Sequence, residues 1–504
     1  MSSRSYSIAI ERSEMIGQRR RSTLPIETHS IDHIPEAARR GKAWHQAPFW
    51  FTGNFVVSTA VIGFIGPTFG LELGWAILAA TLGAMTGTFF MAFHANQGPR
   101  MGLPQMIQSR AQFGIRGAIV PLLAVIFIYV GFGVFAVILC SQAIMQILPG
   151  GRIIWYPIVA LLAGSAAIIG HDLLHHLLRW LTYLVVPIFG IVTIVSVFTL
   201  HPVLPTESSA STTSLFLVQF AASAGYQISY AVYVSDYSRY LPRETSTRSV
   251  ISWTYLGAVL SSVWLMSLGA FIASSVPVAD IIPNIREIGD HWFGGFGIFA
   301  IVILTVPSGI AILGVNAYGA MLSGISILEA FRPVRATKRI RIVSIGIYTV
   351  TVLFICSIIP ENYIGSLNTF VLVLLYLLAP WTAINLVDFY FIRRGKYAIT
   401  EMYKLNGIYG RWGIKALLSY FLGTLAMVPF MTTTFYVGNI AEWLDGADIS
   451  LFVGLIVSGV AYYFAERRFD PSSESDAILE SERSLREFEN SKMRHAKGLL
   501  PNSQ

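Results

Sequence analysis

Residues 214–248 read SLFLVQFAASAGYQISYAVYVSDYSRYLPRETSTR. The stretch begins as an apolar span, is interrupted by Ser223, Gly225, Gln227 and Ser229, and ends in Asp236, Arg239, Arg243 and Arg248. In lipid, each exposed polar or unpaired backbone group costs several kcal/mol. Small and polar residues at mid-depth are tolerated where a span lines a cavity and opens its backbone toward a ligand. The pattern predicts a discontinuous membrane helix.

Composition agrees. Of 504 residues, 54% are hydrophobic, 13% aromatic and only 12% charged, with a mean hydropathy of +0.60. Soluble domains carry about 25% charged residues, so the chain is read as a polytopic, all-α membrane protein. Cys140 and Cys356 lie in apolar runs and read as buried free thiols. The net charge of +7 sets orientation in a membrane rather than binding nucleic acid. Residues 1–46 form a basic polar tail with Arg19, Arg20 and Arg21 together and no apolar core of a cleaved signal. Residues 47–466 form one transmembrane domain, and the charged, Ser-rich tail 467–504 is expected to be disordered or weakly helical.

Twelve runs reach the roughly 20 residues that cross a bilayer. They lie near 48–70, 74–94, 118–147, 153–171, 180–200, 214–236, 251–273, 295–327, 342–360, 366–391, 414–437 and 449–466. The eighth run is Gly-rich and holds Pro307, which predicts a kink or break. With a cytoplasmic N-terminus, both tails and the loops near 97–117, 172–179, 237–250, 328–341 and 392–413 are also cytoplasmic. All 35 lysines and arginines except Arg152 and Arg286 fall in or beside these segments. That bias is expected of a chain in the cell membrane with both termini on the cytoplasmic side. Span one, WFTGNFVVSTAVIGFIGP at 50–67, is interrupted like span six. Two interrupted spans five apart predict an inverted repeat of spans one to five and six to ten, with two helices appended.

Four ordered segments then resemble a known family. They are WFTGNFVVSTAVIGFIGPTFGL at 50–71, NQGPRMGLPQMIQSRAQFGIRGAIVP at 96–121, SDYSRYLPRETS at 235–246 and APWTAINLVDFYFIRRGKY at 379–397. Together they resemble the nucleobase–cation symporters, in the purine–cytosine permease branch, across about residues 44–400. The resemblance implies the leucine-transporter-type five-plus-five repeat, with discontinuous helices in spans one and six. It implies a secondary active transporter that imports cytosine or a purine with a coupling cation. Allantoin, hydantoin, uracil and pyridoxine-like vitamins are the alternative cargoes.

A flat base needs faces to stack on, worth roughly 1–3 kcal/mol per aromatic. It also needs donors and acceptors around its edge. The resemblance implies Phe132 as the stacking residue of span three and Tyr129 as its polar neighbour, where many relatives have tryptophan and an amide. In span six it implies Tyr226, Gln227, Ser229 and Tyr230, with Gln227 suited to an amide-like edge; the alternative is that Gln227 bonds its own broken helix. In span eight it implies Asn316, against a role as glue between helices. Ser58 and Thr59 sit at the expected break of span one and are expected to contact the base or the cation; the alternative is that each hydroxyl bonds back to its own helix. Sodium-coupled relatives have paired hydroxyls about one turn before the asparagine; here Ile310, Ala311 and Ile312 stand there, with Ser308 one position early. A proton is therefore expected rather than sodium. Asp236 and Asp388 are expected to pair with Arg239 and Arg393. His171, Asp172, His175 and His176 read as a solvated helix end, not a metal site. No phosphate-cradling loop of the Walker type and no intramembrane catalytic pair are found, so no enzyme activity, cofactor or nucleic-acid partner is expected.

Overall fold

A computed structural model of the chain describes residues 32–169, 171–204, 210–276, 280–332, 334 and 337–496. The arginines at 19–21 and the side chains of His171, Asp172, His175 and His176 lie outside the described residues. Each of the twelve expected runs carries a helix. Among the described residues, seven helices are long and apolar enough to cross a membrane, and the bent pair Ala43–Asn54 and Val57–Thr68 makes an eighth. Shorter apolar helices at Arg152–Ile168, Tyr183–Thr199, Ile414–Phe430 and Ser450–Glu466 occupy the remaining runs. The fold is all-α; among the described residues the only extended pairing is the isolated bridge Thr432–Val437.

Span one bends by 62° between its halves. The break falls at Phe55 (ψ 65°) and Val56 (φ −135°, ψ 156°), about one turn before the expected Ser58 and Thr59. Thr59 explains part of it: its hydroxyl donates to the Asn54 carbonyl at 2.6 Å and satisfies a helix-end acceptor. Span six runs Thr212–Ile228, tightens into a 3-10 turn at Ser229–Val232 and resumes at Val234–Ser238. Of the kink or break expected in span eight, the break is absent. Phe296–Glu329 is a continuous helix despite Pro307. Span eleven also differs, since its helix ends at Met427 and a 3-10 turn holding Pro429 replaces its last part. Where it is described, the C-terminal tail is ordered: Ser475–Ala496 is a helix preceded by Glu474, which pairs with Arg393 at 3.1 Å.

Packing divides the helices into two groups. Spans one, two, six and seven pack together; spans three, four, eight and nine pack together; span five lies on eight and span ten on three and six. The partnerships exchange under a five-plus-five repeat. Span one packs on seven as six packs on two, eight on four as three on nine, and eight on five as three on ten. Small residues permit close backbone approach in two of these contacts. A Cβ on Gly63 or Gly269 would collide with the backbone of the facing helix between spans one and seven. Gly83 and Gly87 allow the same approach between spans two and six. Spans eleven and twelve pack on each other and on span ten.

Candidate functional site

The two helix breaks face a cavity of about 1050 Å³ walled by spans one, three, six and eight. It runs from Cys140, Thr305 and Leu367 out to Met106, Asp236 and Ser326, at the end of the molecule that carries the described parts of both tails. Of the residues expected at a site, Ser58, Tyr129, Phe132, Tyr226, Tyr230 and Asn316 line it together. Thr59, Gln227 and Ser229 do not; they are fully buried one layer behind the wall.

Tyr226 is the hub of the wall. Its hydroxyl lies 2.8 Å from the Thr59 hydroxyl and 3.4 Å from that of Ser58, and it accepts from Tyr230 at 3.1 Å. Its ring meets Phe132 edge-on, with centroids 5.6 Å apart and planes at 88°. Phe132 is thus held upright at the boundary between the two helix groups. Ser229 donates to the Tyr226 carbonyl at 2.6 Å, closing the 3-10 turn that ends the helix. Tyr129 fits against the bare backbone of Gly319 in span eight, where a Cβ would strike its ring. Its carbonyl accepts from Tyr348 at 3.0 Å.

Gln227 faces the opposite way. It forms a reciprocal amide pair with Asn54, at 3.3 and 3.2 Å, and accepts from Thr88 of span two at 3.2 Å. Its partners are therefore side chains of spans one and two, not the backbone of its own helix and not the cavity. The pair ties one helix break to the other. Asn316 shows the reverse condition. Its side chain lines the cavity, and its Nδ2 is buried without a hydrogen-bond partner. A buried amide with unsatisfied donors is rare, and this residue lines a cavity that a ligand can enter.

Sequence reasoning missed Trp50 and Tyr233, which also line the cavity. Trp50 meets Tyr230 edge-on at 5.9 Å, and Tyr233 stacks on Tyr129 at 6.2 Å. Helical spacing carried a signal, since Tyr226, Tyr230 and Tyr233 recur on one helical face. The acidic candidates behave structurally. Asp388 pairs with Arg393 and also accepts from Gln112, Tyr397 and Tyr462. Asp236 accepts from the Gln105 N–H at 2.8 Å, and Arg239 donates to the Asp236 backbone carbonyl at 3.1 Å. Ser308 lines the cavity, but its hydroxyl donates to the Leu304 carbonyl at 2.5 Å. Among the described residues no cluster of His, Cys, Asp and Glu is placed to hold a metal.

A family model described as a permease for cytosine/purines, uracil, thiamine and allantoin matches residues 33–454. The chain is 38% identical over 446 residues to the putative purine-cytosine permease YxlA of Bacillus subtilis, covering 87% of this chain and 96% of that protein. It is 25% identical over 471 residues to the purine-cytosine permease FCY21 of Saccharomyces cerevisiae, covering 88% and 86%. Among solved structures, the inward-facing conformation of Mhp1 superposes with a TM-score of 0.68 at 18% identity, over 91% of this chain and 99% of that one. Mhp1 closed on bromovinylhydantoin, described as a nucleobase-cation-symport-1 family transporter, gives 0.67 at 17% identity over 90% and 99%. At these identities the likeness to Mhp1 establishes the shared fold.

Proposed function

We propose, since this chain belongs to the family of permeases for cytosine/purines, uracil, thiamine and allantoin, that it imports cytosine or a purine by symport with a cation. The protein is a membrane transporter, not an enzyme. The finer reading places it in the cell membrane with both termini in the cytoplasm, which the distribution of its basic residues supports. The cavity then opens to the cytoplasm, and transport proceeds by rocking one helix group against the other.

One observation carries the substrate class: Asn316, whose Nδ2 has no hydrogen-bond partner, lines a cavity walled by aromatic rings. Phe132, Tyr226 and Tyr230 offer faces for a flat heterocycle. Asn316 and Ser58 offer edge contacts, and Tyr129 closes the far wall. Thr59, Gln227 and Ser229 hold that wall in place. An unmatched edge leaves a buried polar group unpaired, which discriminates by about 1–3 kcal/mol. The volume of about 1050 Å³ exceeds one base, consistent with a site continuous with its exit path. Proton coupling is favoured over sodium because Ile310 and Ala311 bring no hydroxyl and Ser308 bonds back to its own helix. Phe132 and Tyr129 in place of tryptophan and an amide favour a second reading, in which the cargo is allantoin, hydantoin, uracil or a pyridoxine-like vitamin.

Uptake of labelled cytosine into cells without their own nucleobase permeases tests this, with unlabelled heterocycles as competitors. Concentrative uptake abolished by a protonophore and spared by sodium replacement is the expected result. Flux of another heterocycle instead moves the substrate; no flux of any overturns import.

A further inference from the structure

His94 lies in the last turn of span two and is fully buried. Its ring stacks on Trp381 of span ten, with centroids 4.8 Å apart and planes at 17°. Its Nδ1 is 2.8 Å from the Phe90 carbonyl. A carbonyl only accepts, so Nδ1 carries the hydrogen and Nε2 carries a lone pair. That Nε2 has no hydrogen-bond partner. The His94 carbonyl accepts from Ser235 at 3.0 Å, and the next residue, Asp236, lines the mouth of the cavity. The structure therefore holds a neutral imidazole base, buried and with a free lone pair, at the seam between span two of the first helix group and span ten, which lies outside both groups.

We propose that His94 is the proton-binding group of the transport cycle, a role that rests on the proton-coupled reading above. Coupling requires a group whose affinity for the proton differs between the two access states. Here the Nε2 lone pair fits, whereas protonation would create a second N–H facing no acceptor, in an imidazolium held between aromatic and backbone atoms. This arrangement therefore favours the proton-free form, as a state open to the cytoplasm must after release. Rocking span two away from span ten would slide the imidazole off Trp381 and let Nε2 reach water. There the lone pair takes a proton delivered as hydronium from the outside by way of the open site; on return the N–H bond breaks and the proton passes to water on the cytoplasmic side.

The charged or titratable groups on elements packed against span two near this end are Tyr230, Asp236, Tyr237, Arg100, Arg248, Asp388 and Tyr390. None of them hydrogen-bonds the imidazole. Asp388 is already held by Arg393, Gln112, Tyr397 and Tyr462. His94 is thus the base on this seam left for a proton.

The test uses the full chain in sealed vesicles and labelled cytosine, or the heterocycle that the competition panel selects. Accumulation under an imposed pH gradient, acid outside, is compared with exchange against internal unlabelled substrate without a gradient. For His94→Gln we expect gradient-driven accumulation to fall about tenfold or more, with exchange kept within about threefold. Trp381→Phe, which keeps the base but loosens the stack, shifts the pH midpoint of uptake and serves if His94→Gln does not reach the membrane. Undiminished accumulation in His94→Gln, loss of exchange together with accumulation, or an unmoved midpoint in Trp381→Phe overturns the role of His94. Wild-type accumulation that follows sodium and ignores the pH gradient overturns the proton reading beneath it.

Discussion

Tyr226 and Gln227 are adjacent in sequence and belong to opposite regions. Tyr226 stands in the cavity wall, where the neighbouring Asn316 keeps an amide without a partner. Gln227 sits in a sealed layer where it is paired on both ends with Asn54 and Thr88. In both regions a polar side chain is buried at membrane depth. The difference lies in where the hydrogen bonds end. The sealed layer closes its bonds within the protein and joins the two helix breaks. The wall leaves bonds open for a cargo. A polar residue in a membrane helix is thus a ligand candidate only when its partners are missing.

The sharpest way to break this contrast is Gln227→Leu. It strands the Asn54 amide and the Thr88 hydroxyl, at a combined cost of roughly 2–4 kcal/mol. We expect a lower thermal midpoint in detergent and less protein in the membrane, while the protein that does fold keeps its KM. Unchanged stability with a raised KM would place Gln227 in the binding site instead. Asn316→Ala is the converse. It removes a group that has no partner in this structure, so stability should hold or rise slightly. Substrate affinity should fall by about 1–3 kcal/mol, or roughly ten- to hundredfold in KM. Unaltered uptake kinetics would remove Asn316 from the site.

The sequence made the spans legible because hydropathy and basic-residue bias are local signals. It also marked spans one and six as broken. It misplaced the first break because Phe55 and Val56 carry no Gly or Pro. Two tertiary captures accompany the break: Thr59 holds the Asn54 carbonyl, and Gln227 holds the Asn54 side chain. The kink expected at Pro307 did not become a break, since the helix closes around it and Ser308 donates to the carbonyls of Leu304 and Thr305. The direction of Gln227 was not readable for a related reason. Consecutive helical residues point about 100° apart, and nothing in one sequence says which direction is cavity.

A third, half-buried polar site, at the N-terminus of the helix Ile281–Trp292, offers a control. Asp280 caps the helix Ile281–Trp292, accepting from the Ile282 N–H at 3.3 Å and from Gln142 at 2.9 Å. Burial pushes its carboxyl up to about 6, against the opposing pull of the Ile282 N–H. A carboxyl raised in the folded state gives stability that is full below the ordinary range near about 4. That stability is lost as pH rises through about 6. Wild type should therefore lose thermal stability across this window relative to Asp280→Asn, which keeps a cap. The uptake coupling of Asp280→Asn should stay that of wild type. Parallel stability curves would show that Asp280 is not resisting its charge, and altered coupling would draw it into the transport cycle.

Ser308→Ala should have the smallest effect, and its smallness is informative. The hydroxyl faces the cavity region yet donates to its own helix, so it resembles the sealed layer in bonding and the wall in position. Such a back-bond contributes little to a helix, and removing it should leave uptake within about twofold. A sodium ion held between the span one break and span eight would need that oxygen as a ligand. If Ser308→Ala loses uptake and high sodium restores it, the hydroxyl belongs to the wall and the coupling ion is sodium. If uptake persists without sodium, the cation must be bound elsewhere, and the buried base at His94 is where a proton has a place to sit.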